Sequence, residues 1–462
     1  MDSHANKKIF YKELYILILY SVTLLRSIGA WSLIPSSIDS MLFNVVGLVG
    51  GLILLVEFFE IITKKKNFDY DISLVLFLTA FFISILLNHQ YAFFANIKNF
   101  SWEALFLLTI FSLAKNSEVK KSFFVKFQVI LVGFGFIMSF ISLLMFIFNF
   151  SYITPLANKT NPLRLGFVEN RLFGAYSDPN YAAVMATIVI LFSVYLFLKV
   201  SKSMLMRSLI IINIIIQILY IGLSGSRNGL IVLLALTSVY VFFQLFYSKD
   251  YAKHSILKNT LYGVVAAAVV SSAMFLLVDV SKNGISQLPE LTQEISFKQK
   301  NTEIKNKDEV NLSRKDVARS GDISNMRFTL WKSGFEIFKT RPFFGVAPKS
   351  IHDYAKNELP DTYLAKTNLA VHNAYLNVLV CTGIAGAITA GFFLLKNMIR
   401  ILRYAFKNNI KQTEFLYYML AVLALALSGL FHNEIFFMTT SSPLVFWVFL
   451  GGVNNIMNNK EK

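Results

Sequence analysis

The sequence predicts an all-α protein that crosses a membrane many times. Hydrophobic residues make up 55% of its 462 residues and charged residues 15%, whereas about a quarter of a soluble domain is charged. The apolar residues fall in runs of about 18–25, the length that crosses a hydrocarbon core about 30 Å thick. Because backbone polar groups cannot stay unpaired in lipid, these runs are predicted to be helices.

Twelve runs are predicted to span the membrane. They lie at 13–34, 41–62, 72–88, 95–114, 123–149, 180–199, 206–223, 227–247, 258–279, 371–395, 413–431 and 439–457. The first run is interpreted as a retained helix, since no small-residue cleavage site precedes the second run. The single cysteine, Cys381, lies in an apolar run, which excludes an intrachain disulfide.

The net charge of +17 is explained by topology, and no nucleic-acid partner is expected. Lysine and arginine gather in alternate connections between the apolar runs. The connections between those are poor in both residues, as at Pro35 to Ser40, Asn88 to Phe94 and Phe431 to Met438. By the positive-inside rule, both termini are predicted to be cytoplasmic.

This topology divides the chain into four regions. They are helices 1–5 in residues 1–150, helices 6–9 with an outer loop at 150–178 in residues 151–280, a long extracytoplasmic loop in residues 281–370, and helices 10–12 in residues 371–462. Within the long loop, residues 282–322 are polar and predicted to be loosely folded. Residues 325–339 have helical apolar spacing, which predicts an amphipathic helix on the membrane or on the bundle, ended by Arg341-Pro342.

Three arginines near the predicted outer mouth are candidate anion-binding residues. Arg227 follows the predicted cap Ser226 and opens a helix, where a cation costs about 0.3–1 kcal/mol unless an anion binds there. The alternative is an arginine that reaches lipid headgroups. Arg171 is either a site residue or a solvated surface charge, and Arg327 is either a site residue or part of the polar face of the amphipathic helix.

Two histidines are also predicted to lie at this mouth. His372, with Asn373, begins the tenth helix, where a neutral imidazole can take a proton from a hydroxyl near pH 7. The alternative is a structural histidine. His432 and Glu434 form a second polar cluster that is expected to orient the first.

Other polar residues of this region have structural explanations. Asp178 and Pro179, which precede Asn180, fit a helix cap followed by a first-turn proline. The sequence contains no metal-binding motif, P-loop or dinucleotide-binding glycine pattern, so neither a metal nor another cofactor is expected.

Five short segments occur in a set order along the chain. They are Arg171-Leu-Phe-Gly-Ala-Tyr-Ser-Asp-Pro-Asn180, Leu223-Ser-Gly-Ser-Arg227, Arg327-Phe-Thr-Leu-Trp331, Arg341-Pro-Phe-Phe-Gly345 and His372-Asn-Ala-Tyr-Leu376. Over roughly residues 165–455, this ordered set resembles the O-antigen ligase / O-antigen polymerase (Wzy-like) family of bacterial polysaccharide assembly. The resemblance implies a GT-C-like, membrane-embedded and metal-independent glycosyltransferase at the outer face of the cytoplasmic membrane.

The same resemblance implies partners and residue roles. The implied partners are an undecaprenyl-pyrophosphate-linked oligosaccharide donor and acceptor, membrane lipid and a chain-length regulator protein. Arg227, Arg327 and Arg171 are implied to hold the pyrophosphate, with His372 as the catalytic base. The residues expected to support them are Asn373, Asp178, Asn180, His432 and Glu434.

Three functions remain open from the sequence. Richness in Lys, Asn, Ile and Phe is typical of AT-rich genomes, and a Gram-positive source has no lipopolysaccharide core as acceptor, which favours a polymerase over a ligase. A flippase of lipid-linked oligosaccharide would instead carry charged residues at the bilayer midplane. Here Arg26, placed in the first predicted helix, is the main such residue.

Overall fold

The fold is that of an all-α polytopic membrane protein, and 76% of the residues described in a computed structural model are helical. The structure describes residues 2–65, 67–155, 162–247, 256–291, 312, 324–367 and 369–461. The helices are α1 Asp2–Leu25, α2 Ser36–Ile62, α3 Ile72–Leu87, α4 Phe93–Lys115, α5 Lys121–Ile147, α6 Pro179–Lys199, α7 Met204–Ser224, α8 Arg227–Phe246, α9 Ile256–Ile285, α10 Arg327–Thr340, α11 Ile351–Glu358, α12 Tyr363–Thr367, α13 Ala374–Lys407, α14 Glu414–Ser428 and α15 Ser441–Glu461.

Each of the twelve predicted stretches overlaps one of these helices. Within the described residues, eight helices are long and apolar enough to cross a membrane, namely α2, α4, α5, α6, α7, α8, α9 and α13. Two more, α3 and α14, are apolar but shorter, with 16 and 15 residues. The protein is therefore a multi-pass membrane protein, while the count of twelve spans and the cytoplasmic termini stay predictions.

The prediction was wrong at the end of the first helix. The helix was predicted to run to residue 34, but α1 ends at Leu25 and a short 3-10 turn follows at Gly29–Leu33. Arg26 lies beyond the helix and donates two hydrogen bonds to the Asp39 carboxylate, at 2.9 and 3.0 Å. Its charge is paired outside α1, so it does not mark a midplane pathway of the kind expected in a flippase.

The predicted outer loop at 150–178 contains a small antiparallel sheet that the sequence reading missed. Its strands are β1 Ser151–Thr154, β2 Leu163–Val168 and β3 Arg171–Gly174, in the order β1-β2-β3. Glu169 and Asn170 join β2 to β3 with φ values of 54° and 59°, as in the two-residue turns that match strand twist. The last strand begins at Arg171 and ends four residues before Asp178, the cap of α6. The sheet therefore holds Arg171 close to the start of that helix.

The predicted amphipathic helix is present as α10, and it packs on the bundle through one face. Its buried residues are Leu330, Ser333, Gly334 and Ile337. A Cβ placed on Gly334 would lie 3.4–3.6 Å from side chains of Val371, Val380 and Leu376, so this face rests on the start of α13. The helix ends at Thr340, before the Arg341-Pro342 pair, as predicted.

The chain after α10 pairs with a break inside α13. At Gly383 the backbone takes φ 61° and ψ −163°, which is not helical. Segment 342–347 fills the break by pairing with the opened turn. Four backbone hydrogen bonds of 2.8–3.1 Å join the two stretches, from Val346 to Val380, Ala347 to Cys381, Ile384 to Pro342 and Ala385 to Phe343. Non-helical backbone is tolerated inside a membrane bundle only when it is satisfied in this way.

The long loop is therefore folded from residue 324 onward into α10, the inserted segment, α11 and α12. Of the polar stretch predicted to be loosely folded, 282–322, residues 292–311 and 313–322 lie outside the described residues. Its first residues are described: α9 continues to Ile285, six residues past the predicted end at 279, and a 3-10 turn follows at Leu288–Leu291.

Helices α14 and α15 form the centre of the bundle. Residues 415–422 of α14 and 444–450 of α15 are all buried. A polar residue near the end of α15 is satisfied inside the bundle by hydrogen bonds. Asn454 donates to Asn397 at 2.9 Å and accepts from Arg400 at 3.1 Å. The loop between these two central helices lies at the bundle end where α6, α8 and α13 begin.

Candidate functional site

The loop from Ser428 to Glu434, which follows α14, is the hub of the candidate site. The amide of Ala374, at the start of α13, donates to the carbonyl of Gly429 at 2.7 Å. The amide of Asn373 donates to the side chain of Asn433 at 3.0 Å. The hub loop is thus bonded to the beginning of α13.

The hub loop is also bonded to the beginning of α8. Asn228 donates to the Ser428 hydroxyl at 2.8 Å, and that hydroxyl donates to the buried carboxyl of Glu434 at 2.7 Å. This chain crosses the bundle and fixes the first turn of α8, where Arg227 lies. Neither Ser428 nor Asn228 was named from the sequence, because a serine and an asparagine 200 residues apart carry no local signal.

Arg227 is the first residue of α8, as predicted, and Ser226 is the cap. The Ser226 hydroxyl accepts from the amide of Gly229 at 3.2 Å. Gly225 before it takes φ 61°, the left-handed conformation in which helices commonly end, and so lets α7 turn directly into α8. The half-buried Arg227 side chain adds a positive charge to a helix N-terminus that is already partly positive.

Arg171 is buried and held by two oxygen atoms. Its Nε donates to the carbonyl of Ser224 at 2.9 Å, and one terminal nitrogen donates to the Asn180 side chain at 2.7 Å. Asn180 is the second residue of α6, whose cap Asp178 accepts from the amides of Asn180 and Tyr181 at 2.7 and 3.4 Å. Arg171 therefore joins the sheet, the end of α7 and the start of α6.

Arg327 is the first residue of α10 and lies half-buried beside the hub loop. Its guanidinium carbon is 5.4 Å from the centre of the Phe431 ring, a cation–π distance. The residue before it, Met326, takes φ 65°, which is rare for a side chain of that size and holds the helix start in one orientation. The structure thus places Arg327 at the hub loop, not on an exposed polar face.

His372 lies just before α13 in a left-handed backbone conformation with φ 54°. Asn373 follows as the cap of α13, and its side chain accepts from the amides of Tyr375 and Leu376 at 3.0 and 2.9 Å. The His372 ring stands nearly perpendicular to the His432 ring, with centroids 5.7 Å apart. The two predicted polar clusters therefore meet at one place.

The charges of these residues act on one another. Burial lowers the pKa of His372, the positive charge of Arg327 lowers it further, and the Asp178 carboxylate opposes both. Burial likewise holds the pKa of His432 well below its ordinary value; Asp178 opposes this, while His372, Arg327 and Arg171 add to the lowering. Both imidazoles are consequently neutral near pH 7 and able to accept protons.

Glu434 and His432 are the buried titratable groups of the hub loop. Burial raises the pKa of Glu434 to about 7, an effect that the bond from Ser428 reduces. Nε2 of His432 is buried and has no hydrogen-bond partner within the described part of the chain. A buried nitrogen without a partner is costly, so it marks a place where a ligand or water can bind.

The arrangement suits an anion more than a metal ion. Helices α8 and α10 both begin with an arginine at this site, and the free amides of a helix N-terminus bind phosphate groups. Across the residues that the structure describes, no three side chains of His, Cys, Asp or Glu are grouped as metal ligands. Chemically, the site offers guanidinium groups, helix N-termini and neutral imidazoles around one hub loop.

The structure brings most predicted site residues together. The charge on His432 is influenced by four of them, namely Arg171, Arg327, His372 and Asp178. Three others are hydrogen-bonded to residues of the site: Asn180 to Arg171, Asn373 to Asn433 and Glu434 to Ser428. The position of Arg227 near this site follows from the residues on either side of it in the sequence. The carbonyl of Ser224 accepts a hydrogen bond from Arg171, and Asn228 is bonded to the hub loop. The chemical roles assigned to these residues stay predictions.

Comparison with known proteins bears on the same region. A family model described as O-antigen ligase matches residues 212–391, a stretch that includes Arg227, Arg327 and His372. A search of curated proteins found no significant match. The resemblance seen in the ordered motifs is confirmed by this match: residues 212–391 are similar to the O-antigen ligase family.

Proposed function

We propose that this protein is a polymerase of cell-surface polysaccharide. It joins repeat units carried on undecaprenyl pyrophosphate, at the outer face of the cytoplasmic membrane of a bacterium, by metal-independent inverting glycosyl transfer. The family match supports the coarser statement, a glycosyltransferase-like ligase or polymerase. The observation that carries the finer one is the convergence of Arg171, Arg327, His372 and His432 in one electrostatic environment beside Arg227.

The arginines are proposed to bind the donor's pyrophosphate. When the glycosidic bond breaks, negative charge grows on the diphosphate oxygen atoms. Fixed guanidinium groups stabilise that charge, and they do so most strongly where water is excluded. Arg227 and Arg327 also begin helices, so the free amides of α8 and α10 would add to the same positive field.

His372 is proposed to act as the base. The acceptor sugar hydroxyl attacks the anomeric carbon of the donor, the bond from that carbon to the diphosphate oxygen breaks, and the diphosphate leaves with the bonding electrons. His372 takes the proton of the attacking hydroxyl. A single displacement of this kind inverts the anomeric configuration. A neutral His372, with its pKa lowered by burial and by Arg327, is ready to accept that proton at neutral pH.

Ligation of the glycan to another acceptor is the alternative within the family. It uses the same donor and the same site, so it differs from polymerisation only in the molecule that supplies the attacking hydroxyl. A flippase is the alternative from another class. The charged residue Arg26, which was consistent with a flippase when placed inside the first helix, lies outside α1 and is paired with Asp39.

The test is the variant His372→Asn. Asparagine tolerates the left-handed backbone of this position better than alanine does, so the variant removes the base with little change in folding. His352→Asn is the matched control, since His352 lies in α11 and is not part of the hub loop. Purified protein would be given short lipid-linked repeat units, and the length of the products would be measured.

The expected result for His372→Asn is a loss of chain lengthening of about 10²–10⁴-fold, the usual contribution of a general base. The control should keep its activity. Full chain lengthening by His372→Asn would refute the assigned role. Transport of the lipid-linked units across liposomes by the unaltered protein, without lengthening, would support the flippase and refute the polymerase.

A further inference from the structure

A groove between α2, α3 and α4 is not used by the proposed reaction. It has a volume of about 720 Å³, and its α4 wall extends from Lys98 to Leu108. Two of its lining residues are exposed, Leu55 of α2 at 65% and Phe82 of α3 at 40%. The groove therefore opens toward lipid, and its size is within the range of sites that hold one ligand.

Two glycines of α2 line this groove. Gly47 and Gly51 are one helical turn apart and face it together with Leu54 and Phe58. At Gly47 the Trp102 ring forms the groove wall, since a Cβ placed there would lie 2.9 Å from that ring. A Cβ placed on Gly51 would meet no atom within 4 Å, so the space beside it is empty in the protein fold. A larger residue there would project into the groove without touching a neighbouring helix.

One end of the groove is polar and carries a positive charge. Lys98 lies there, five residues after α4 begins, and donates to the Asn44 side chain at 2.8 Å. Lys98 is exposed, and no carboxylate of a described residue lies within ion-pair distance of its ammonium group. The remaining lining residues are mostly apolar, so the charge sits at one end of an apolar channel.

The length of the channel fits a lipid chain. From Asn44 to Phe58, α2 rises by about 21 Å, at about 1.5 Å per residue. One leaflet of a bilayer is about 15 Å thick, half of its hydrocarbon core. A chain whose headgroup lies at Lys98 can therefore stay inside the groove over the whole depth of its leaflet.

We propose that this groove binds an anionic glycerophospholipid, with the phosphate beside Lys98 and one acyl chain along Gly47 and Gly51. Charge complementarity at Lys98 and the apolar length of the channel identify this occupant. The lipid would fill the space between α2 and α4, where α2 has few contacts of its own, and would hold α2 to the bundle. This proposal does not depend on the proposed enzymatic function.

The test measures lipid binding by purified protein in detergent. Phosphatidylglycerol and phosphatidylcholine would be titrated separately, with bound lipid counted by native mass spectrometry and the melting temperature recorded. Lys98→Gln is expected to weaken phosphatidylglycerol binding about fivefold, the effect of one lysine near an anionic surface. Gly51→Phe is expected to abolish this binding site by filling the groove. Matched controls are Lys202→Gln, an exposed lysine, and Gly133→Phe, where a Cβ also meets no atom within 4 Å.

The proposal is supported if phosphatidylglycerol raises the melting temperature more than phosphatidylcholine does, and if both groove variants lose that difference while both controls keep it. It is overturned if Lys98→Gln binds phosphatidylglycerol as the unaltered protein does. Because Lys98 is exposed, this variant should fold even if Gly51→Phe does not. Displacement of phosphatidylglycerol by an equal concentration of undecaprenyl phosphate would also overturn it, because the groove would then hold the carrier lipid.

Discussion

Replacing Gly383 by alanine should destabilise the protein strongly, although glycine to alanine inside a helix is usually stabilising. Gly383 sits at the break in α13 with φ 61° and ψ −163°, a conformation open almost only to glycine. An alanine Cβ would lie 2.3 Å from the carbonyl carbon of Phe343 and 2.5 Å from the amide nitrogen of Phe344. These are backbone atoms, which cannot move aside as a flexible side chain can.

The loss in free energy of unfolding can be worked out from the backbone strain and from the hydrogen bonds that would break. The backbone conformation alone costs about 1–3 kcal/mol for a residue with a Cβ. Moving segment 342–347 away breaks at least the two hydrogen bonds nearest the clash, from Ile384 to Pro342 and from Ala385 to Phe343, at about 1 kcal/mol each. The free energy of unfolding should therefore fall by about 3–5 kcal/mol.

Gly391 supplies the matched control, because it lies in the same helix and a Cβ there meets no atom within 4 Å. Gly391→Ala should stabilise by up to about 1 kcal/mol, the ordinary helix preference. The assay is equilibrium unfolding of both variants in mixed micelles, with chain lengthening measured in parallel. If Gly383→Ala unfolds at the same denaturant concentration as Gly391→Ala, then segment 342–347 does not pair with the break as described.

Two further changes probe the site. Arg327→Gln removes a positive charge that lowers the pKa of His372, so this pKa should rise. Since a base works only when unprotonated, the acidic limb of the pH–rate profile should move to higher pH. An acidic limb that does not move would show that Arg327 does not act on the base. The control is Arg403→Gln at the far end of α13, which should leave the acidic limb in place. Ser428→Ala leaves Asn228 and Glu434 without the hydroxyl that joins them, and should lower the unfolding free energy by about 1–3 kcal/mol in the same micelle assay. Equal stability of Ser428→Ala and the unaltered protein would contradict the bonded chain.

Local sequence signals predicted the parts of the site that are set locally. The cap Asp178 with Pro179, and the cap Ser226 with Arg227, follow from side-chain chemistry within three residues, and the structure has both. The position of α10 followed from its apolar spacing. The surface on which α10 packs could not be predicted, because apolar spacing is the same for a helix on a membrane and for a helix on a protein surface.

The parts that the sequence reading missed depend on distant pairs of segments. The only sequence signal for the pairing of segment 342–347 with the break in α13 is a pair of glycines, Gly345 and Gly383. Both have positive φ, and each lies against backbone atoms of the other segment. The sheet was missed because its strands are only four to six residues long. The error at α1 has another cause, since the apolar run continues past Leu25 and only the pairing of Arg26 with Asp39 shows where the helix stops.

The proposed site places its base beside a cation, an arrangement that weakens the base in the free protein and is still consistent with catalysis. Without donor, Arg327 lowers the pKa of His372 and so weakens it as a base. A bound diphosphate carries at least two negative charges, which offset Arg327 and raise the proton affinity of the imidazole. The base would thus gain strength only when the leaving group is in place. In this proposed arrangement, the same arginine would hold the donor and would keep His372 unprotonated until the donor arrives.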